Sequence, residues 1–244
     1  MAQIPNILTL CNLLCGCAAL LCVVSAQYHE AAFCLAGAFF FDYADGLVAR
    51  ALGVSSPMGK QLDSLADVVS FGVVPGAMLW SVLDAPAHAP LPGPLPAPFS
   101  LSVPALAGFA LSAFAAYRLA KFNIDTRQQG YFLGLSTPAC TLFVLGYTLS
   151  AHSSAAGSWA QVLHSKAVAY PLIAVLSALM VSEIPMFGLK FKRDAGLRNL
   201  WLMAPAAALA LLFRQFGWLA FSIAVALYIL ASLLFRRQVL AAAM

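Results

Sequence analysis

Apolar runs of about 20 residues follow one another along the chain, broken by short polar or proline-rich stretches, and that is the length of helix that crosses ~30 Å of hydrocarbon. They run from Ile7 to Ala26, Glu30 to Leu52, Met58 to Leu83, Phe99 to Asn123, Pro138 to His152, Ala167 to Gly188, Leu200 to Phe213 and Phe216 to Phe235. None shows the apolar–polar alternation of a membrane strand. The pattern therefore predicts an all-α membrane protein of about eight transmembrane helices. Gly53, Ser55, Ser56 and Pro57 mark a short turn that makes the second and third helices antiparallel neighbours. Asp84 to Pro98 is dense in proline and is expected to be an irregular loop outside the bilayer. Val24-Ser25-Ala26 faintly resembles a cleavage site, but Met1 to Asn6 carries no basic side chain, so the first helix is expected to be retained.

Composition agrees with the pattern. The chain is 62% hydrophobic and 9% charged with a mean hydropathy of +0.88, where soluble domains carry ~25% charge. A net charge of +4, dispersed along the chain, gives no footprint for nucleic acid. Where the charge sits is more informative. With an even number of helices, all of the 13 Lys and Arg residues except Lys166 and Arg214 fall on the side of the termini. By the positive-inside rule both termini are expected to be cytoplasmic, in a multi-pass protein of the cell membrane. Cys11, Cys15, Cys17 and Cys22 share one apolar run without a CxxC pair and are read as small apolar residues.

One stretch breaks the apolar pattern. Of nine acidic residues in 244, Asp42, Asp45, Asp63 and Asp67 lie within 26 positions, and each would cost ~2.5 to 3.5 kcal/mol facing lipid at the centre of a membrane. Asp42 and Asp45 are three apart and Asp63 and Asp67 four apart, so each pair shares a helix face. Two carboxylates then face two others, near the start of the third helix and so just below one membrane face. Hard oxygen donors suit Mg²⁺, Mn²⁺ or Ca²⁺ rather than zinc, which points to a divalent-metal site between helices. Asn6, Thr9 and Asn12 recur every three residues on the first helix. They read either as helix-to-helix hydrogen bonds or, around Pro5 to Leu8, as a ligand contact at the membrane surface. His29, His88, His152 and His164 fall at the opposite side from the acids, so none serves as a catalytic base. Glu183 is read as an interfacial acid paired with a Lys or Arg.

The spacing D-x2-D-G-x2-A-R-x8-G-x3-D-x3-D is met by Asp42, Asp45, Gly46, Ala49, Arg50, Gly59, Asp63 and Asp67. It resembles the signature of the CDP-alcohol phosphotransferase family, integral membrane enzymes of phospholipid synthesis. The resemblance implies that Asp42, Asp45 and Asp63 ligate metal, Mg²⁺ or Mn²⁺, with Asp67 in the same site as general base. It implies that Gly46, Ala49, Arg50 and Gly59 bind a CDP-lipid, CDP-diacylglycerol, with Arg50 also stabilising charge in the transfer. Pro5, Asn6 and Ser56 match positions that contact the nucleotide in relatives. Arg118 and Lys121 are membrane-face anchors that could instead hold the substrate phosphate or the acceptor carboxylate.

Leu62 to Pro75, Tyr117 to Asn123, Phe132 to Ala139 and Leu179 to Lys192 are similar to the membrane-embedded phosphatidylserine synthases of that family. The resemblance spans residues 1 to 195, six helices, and leaves 196 to 244 as two additional helices. It implies transfer of a phosphatidyl group to L-serine with release of CMP at a site facing the cytoplasm, in a homodimer. Glycerol 3-phosphate or another small alcohol is the alternative acceptor. A divalent-cation transporter is the alternative from another class, though an ion path has no need of Arg50 or the fixed gaps to Gly59 and Asp63.

Overall fold

In the computed structural model, residues 3–54, 56–84, 102–125, 132–153, 158–186 and 209–234 are described. Residues 85–98 of the proline-rich loop, with His88, lie outside them. So do Arg127, Lys190, Lys192, Arg193, Arg198, Arg236 and Arg237, and all of the Leu200 to Phe213 run before residue 209.

Helix α1 (Gln3–Val24) buries Pro5, Thr9, Asn12, Gly16, Ala19 and Val23, alternately four and three residues apart. That narrow stripe of small and polar residues is the seam of a closely packed membrane helix pair. α2 (Tyr28–Leu52) answers with Ala31, Leu35, Ala38 and Asp45. Outside the stripes large apolar side chains face outward, Leu14 at 67% exposure and Phe33 at 78%. A water-soluble protein does not cover its surface this way; hydrocarbon solvates it without cost. α2 stops at Gly53, whose φ of +63° is the left-handed conformation of a helix C-cap, and its N–H reaches the carbonyls of Ala49 and Arg50.

Ser56 then caps α3 (Pro57–Val68), its Oγ accepting the N–H of Gly59 at 2.9 Å, with Pro57 in the first turn. One π-helical turn, Val69–Val73, joins α3 to α4 (Val74–Leu83). Widening the turn disturbs the usual hydrogen-bond ladder, and two hydroxyls from neighbouring helices reach carbonyls there. Ser112 Oγ donates to Gly72 O at 2.8 Å and Thr141 Oγ1 to Phe71 O at 3.1 Å. Every residue of α4 is buried, so the α3–α4 rod is the centre of the bundle, with α1, α5 (Ala110–Ile124) and α6 (Thr137–Ala151) against it. A 3₁₀ segment, Val103–Phe109, leads into α5.

The short α7 (Ser158–Leu163) and α8 (Lys166–Val181) follow. The expected sixth helix, Ala167 to Gly188, ends early at Val181, because Pro185 disfavours a helical residue before it. Among the described residues one strand pair interrupts the helices. β1 (Phe132–Leu133) pairs antiparallel with β2 (Pro185–Met186), and Leu135 N donates to Leu179 O, a carbonyl left open at the end of α8. Gly134 between them has a φ of +72°, and a Cβ there would lie 2.7 Å from the carbonyl oxygens of Met180 and Ser182. Residues 209–216 are helical, and α9 (Leu219–Leu234) packs along α6, with Ser222 Oγ donating to Phe143 O at 2.7 Å.

Among the described residues, four helical stretches are long and apolar enough to cross a membrane: Gln3–Val24, Tyr28–Leu52, Pro57–Leu83 and Val103–Ile124. Thr137–Ala151, Lys166–Val181 and Leu219–Leu234 are apolar but 15 or 16 residues long, ~22 to 24 Å at 1.5 Å per residue. The chain is an integral membrane protein by these four spans.

Candidate active site

The Gly53 turn joins α2 to α3, but the two pack against α1 rather than along each other as the sequence leads us to expect, and their acidic faces meet over it. Carboxylate oxygens of Asp42, Asp63 and Asp67 come within 4.8 Å of one another. Among the described residues no Lys, Arg or His closes an ion pair with these three. Three hard, anionic oxygens on two rigid helices, without a counter-charge among them, fit a divalent cation of the Mg²⁺ or Mn²⁺ kind and lack the nitrogen or sulfur that zinc prefers.

Asp45, the fourth acid of the motif, stands apart from that trio. It is 7% exposed and accepts a hydrogen bond from Thr9 Oγ1 at 2.5 Å. Thr9 Oγ1 also lies 3.0 Å from Pro5 O. One turn further along α1, Asn12 Nδ2 donates to Asp67 Oδ1 at 3.2 Å. The polar stripe of α1 thus faces the aspartates through hydrogen bonds between helices, the first of the two readings its spacing allowed.

Beside the acids lies a cavity of about 290 Å³, lined by Pro5, Asn6, Thr9, Asp45, Gly46, Ala49, Val54, Ser56, Gly59, Lys60 and Asp63. Six of the seven residues expected to bind the CDP-lipid line it. The seventh, Arg50, is exposed, and its Nη1 lies 3.4 Å from where a Cβ of Gly46 would stand, at the cavity's edge. A Cβ on Gly59 would come within 3.0 Å of Ser56 Oγ and 3.1 Å of Asn6 Oδ1, so this glycine keeps the cavity open. The first turn of α3 forms one wall. The positive end of its dipole favours an anion such as a diphosphate.

Sequence reasoning missed Val54, Lys60 and the carboxylate bonds of Thr9 and Asn12. Lys60 carried a signal, a lone cation beside Gly59 in an acidic stretch; its Nζ donates to Asn123 O at 2.9 Å. Val54 carried none.

Arg118 and Lys121 sit on α5, away from the cavity lining. Arg118 is 7% exposed, has Thr137 Oγ1 at 3.5 Å from Nη1, leaves its buried Nε without a partner, and interacts electrostatically with Asp67. Lys121 pairs with Glu183 at 3.1 Å, which is the partner expected for that acid. His29, His152 and His164 gather at the far end of the bundle: His152 stacks near Tyr28 and His164, and His29 near Trp218. Tyr28 opens α2, 14 residues before Asp42, or ~21 Å along a helix.

Over 150 residues the chain is 33% identical to the CDP-diacylglycerol–serine O-phosphatidyltransferase of Bacillus subtilis, covering 61% of this chain and 77% of that one. Proteins of the same name from Mycobacterium leprae and Saccharomyces cerevisiae are 29% and 37% identical over 190 and 115 residues. The chain spans 57% and 36% of the length of those two, against 75% and 43% of its own. The family profile described as CDP-alcohol phosphatidyltransferase matches residues 2–244. With a match that runs from end to end and an acidic cluster built on the family's spacing, the chain belongs to the CDP-alcohol phosphatidyltransferase family and is an enzyme of that class.

Proposed function

We propose that the protein transfers the phosphatidyl group of CDP-diacylglycerol to the hydroxyl of L-serine, giving phosphatidylserine and CMP. The observation that carries this is the cavity that runs from the first turn of α3 to Asp45 and Asp63, the latter shared with the Asp42 and Asp67 cluster. It puts a space wide enough for a diphosphate beside a cation site at one end of apolar helices. The cytidine end would lie against Pro5, Asn6 and Ser56, the diphosphate along Gly46, Ala49, Gly59 and Arg50, and the acyl chains in lipid. Asp67 takes the proton of the serine hydroxyl as its oxygen bonds to the lipid-side phosphorus. The bond from that phosphorus to the bridging oxygen breaks, and CMP leaves with the electron pair. Asp42, Asp63 and Asp67, with Asp45 beside them, would hold a divalent cation, and its charge would neutralise what builds on the diphosphate oxygens. Arg50 adds a bidentate donor to phosphate.

Serine is favoured over glycerol 3-phosphate by the names of the relatives and by a single buried, part-unpaired guanidinium, Arg118, near Asp67. One carboxylate suits one such cation; an acceptor with its own phosphate needs more. The eight-helix topology, the cytoplasmic orientation of both termini and site, the division at residue 195 and a homodimer complete the proposal. Purified protein given CDP-diacylglycerol and a panel of alcohols should convert serine to phosphatidylserine. Turnover with glycerol 3-phosphate but not serine would reassign the acceptor, and release of CMP with neither would remove the reaction.

A further inference from the structure

Asn12 is wholly buried where α1 crosses the start of the π turn, and everything around it is fixed. Its backbone carbonyl accepts Ser70 Oγ at 3.1 Å, and a Cβ on Gly16, one turn on, would stand 3.0 Å from Ser70 Cα. α1 and the α3–α4 rod therefore meet in near-backbone contact, with Asn12 as the polar side chain in the gap. Its amide donates to Asp67 Oδ1, while its own Oδ1 is buried without a partner. The amide could not be turned round, because that would set oxygen against carboxylate oxygen. A buried polar atom left unsatisfied costs stability, and an apolar residue of the same size would avoid the cost. Packing alone gives no reason for an amide here; the carboxylate does.

We infer that Asn12 is a positioning residue for the transfer reaction, holding Asp67 in the orientation that its role as base requires. The bond pins one oxygen of Asp67 to α1, which sets the plane of the carboxylate and so the direction of the other oxygen. The inference rests on the function proposed above, in which Asp67 takes the acceptor's proton. Thr9 makes the corresponding contact to Asp45, the acid outside the trio, so each helix pair has its own tie to α1.

The test is steady-state turnover and CDP-diacylglycerol binding of the full chain in lipid nanodiscs, with Mn²⁺ and the best acceptor from the alcohol panel. Asn12→Leu fills the space and Asn12→Ala empties it, so a loss shared by both is not a packing effect. Both should lower kcat about 10- to 100-fold, the usual range for losing a partner that orients a reacting group, while KM and nucleotide-lipid binding stay within about threefold. Ser70→Ala removes the neighbouring bond to the Asn12 carbonyl without touching a carboxylate, and should keep kcat within about threefold. In an Asp67→Asn background, adding Asn12→Leu should cost less than about threefold, because residues that act as a unit are not additive. Normal turnover in Asn12→Leu, an equal loss in the Asp67→Asn background, or loss of binding together with kcat would overturn the inference. A wild-type chain that releases no CMP with any alcohol sinks the proposed reaction as well. An active wild type with an indifferent Asn12 sinks only this.

Discussion

Asp67 and Asp42 sit in one cluster yet carry different loads. Asp67→Asn keeps the shape and an acceptor oxygen but cannot take a proton, and general base catalysis contributes ~10² to 10⁴-fold. Turnover should fall by that order while CDP-diacylglycerol still binds. Asp42→Asn removes an anionic ligand from the trio, so metal-dependent binding of the nucleotide lipid should weaken along with turnover. Equilibrium binding of a labelled CDP-lipid, beside turnover, separates the two; identical losses in both would leave Asp67 a ligand and not the base. Gly59 tests the cavity itself. A Cβ there crowds Ser56 Oγ and Asn6 Oδ1, and overpacking of this kind costs ~1 to 3 kcal/mol. Gly59→Ala should therefore raise KM for CDP-diacylglycerol about tenfold or more, since 1.4 kcal/mol is a factor of ten. At this scale the motif residues were readable because their spacing on two helices fixes which side chains share a face. The partner of Asn12 was not, because it lies 55 positions away on another helix. Spacing along α1 names a stripe and says nothing of what the stripe meets.

The helices themselves followed from apolar runs and turn residues, with ends displaced by a few positions. Phe99 to Asn123 became Val103–Ile124 and Ala167 to Gly188 became Lys166–Val181. Two features stayed hidden for a common reason. The π turn at Val69–Val73 lies in a rod that is apolar nearly all round, where one extra residue changes no visible period. The β1–β2 pair is two residues a side, below what alternation can reveal. That pair nevertheless ties the segment leading into α6 to the end of α8, and it depends on Gly134. Gly134→Ala demands a left-handed backbone and sets a Cβ against three carbonyls of the α8 end. Such strain costs ~1 to 3 kcal/mol, so thermal unfolding in detergent should shift down by several degrees. An unchanged Tm would mean that the strand pair is not a structural tie.

Across the whole molecule, the acids cluster near one end of the bundle and the aromatic and histidine group at the other. In the proposed topology the bias of basic residues puts the acidic end at the cytoplasmic face. Single cysteines placed at the two termini of a Cys-free chain should both be shielded from a membrane-impermeant thiol reagent in intact cells. A cysteine in the 85–98 loop should react. Labelling of one terminus would exclude an even number of spans.

The proposed phosphatidyl transfer depends on a divalent cation at Asp42, Asp63 and Asp67, and CMP release from CDP-diacylglycerol by the purified chain tests that dependence. With serine present, release should stop when a chelator removes the metal and return when Mg²⁺ or Mn²⁺ is restored in excess. Asp63→Asn should stay inactive at every metal concentration. Full CMP release in excess chelator, or an Asp63→Asn chain as active as the wild type, would contradict it.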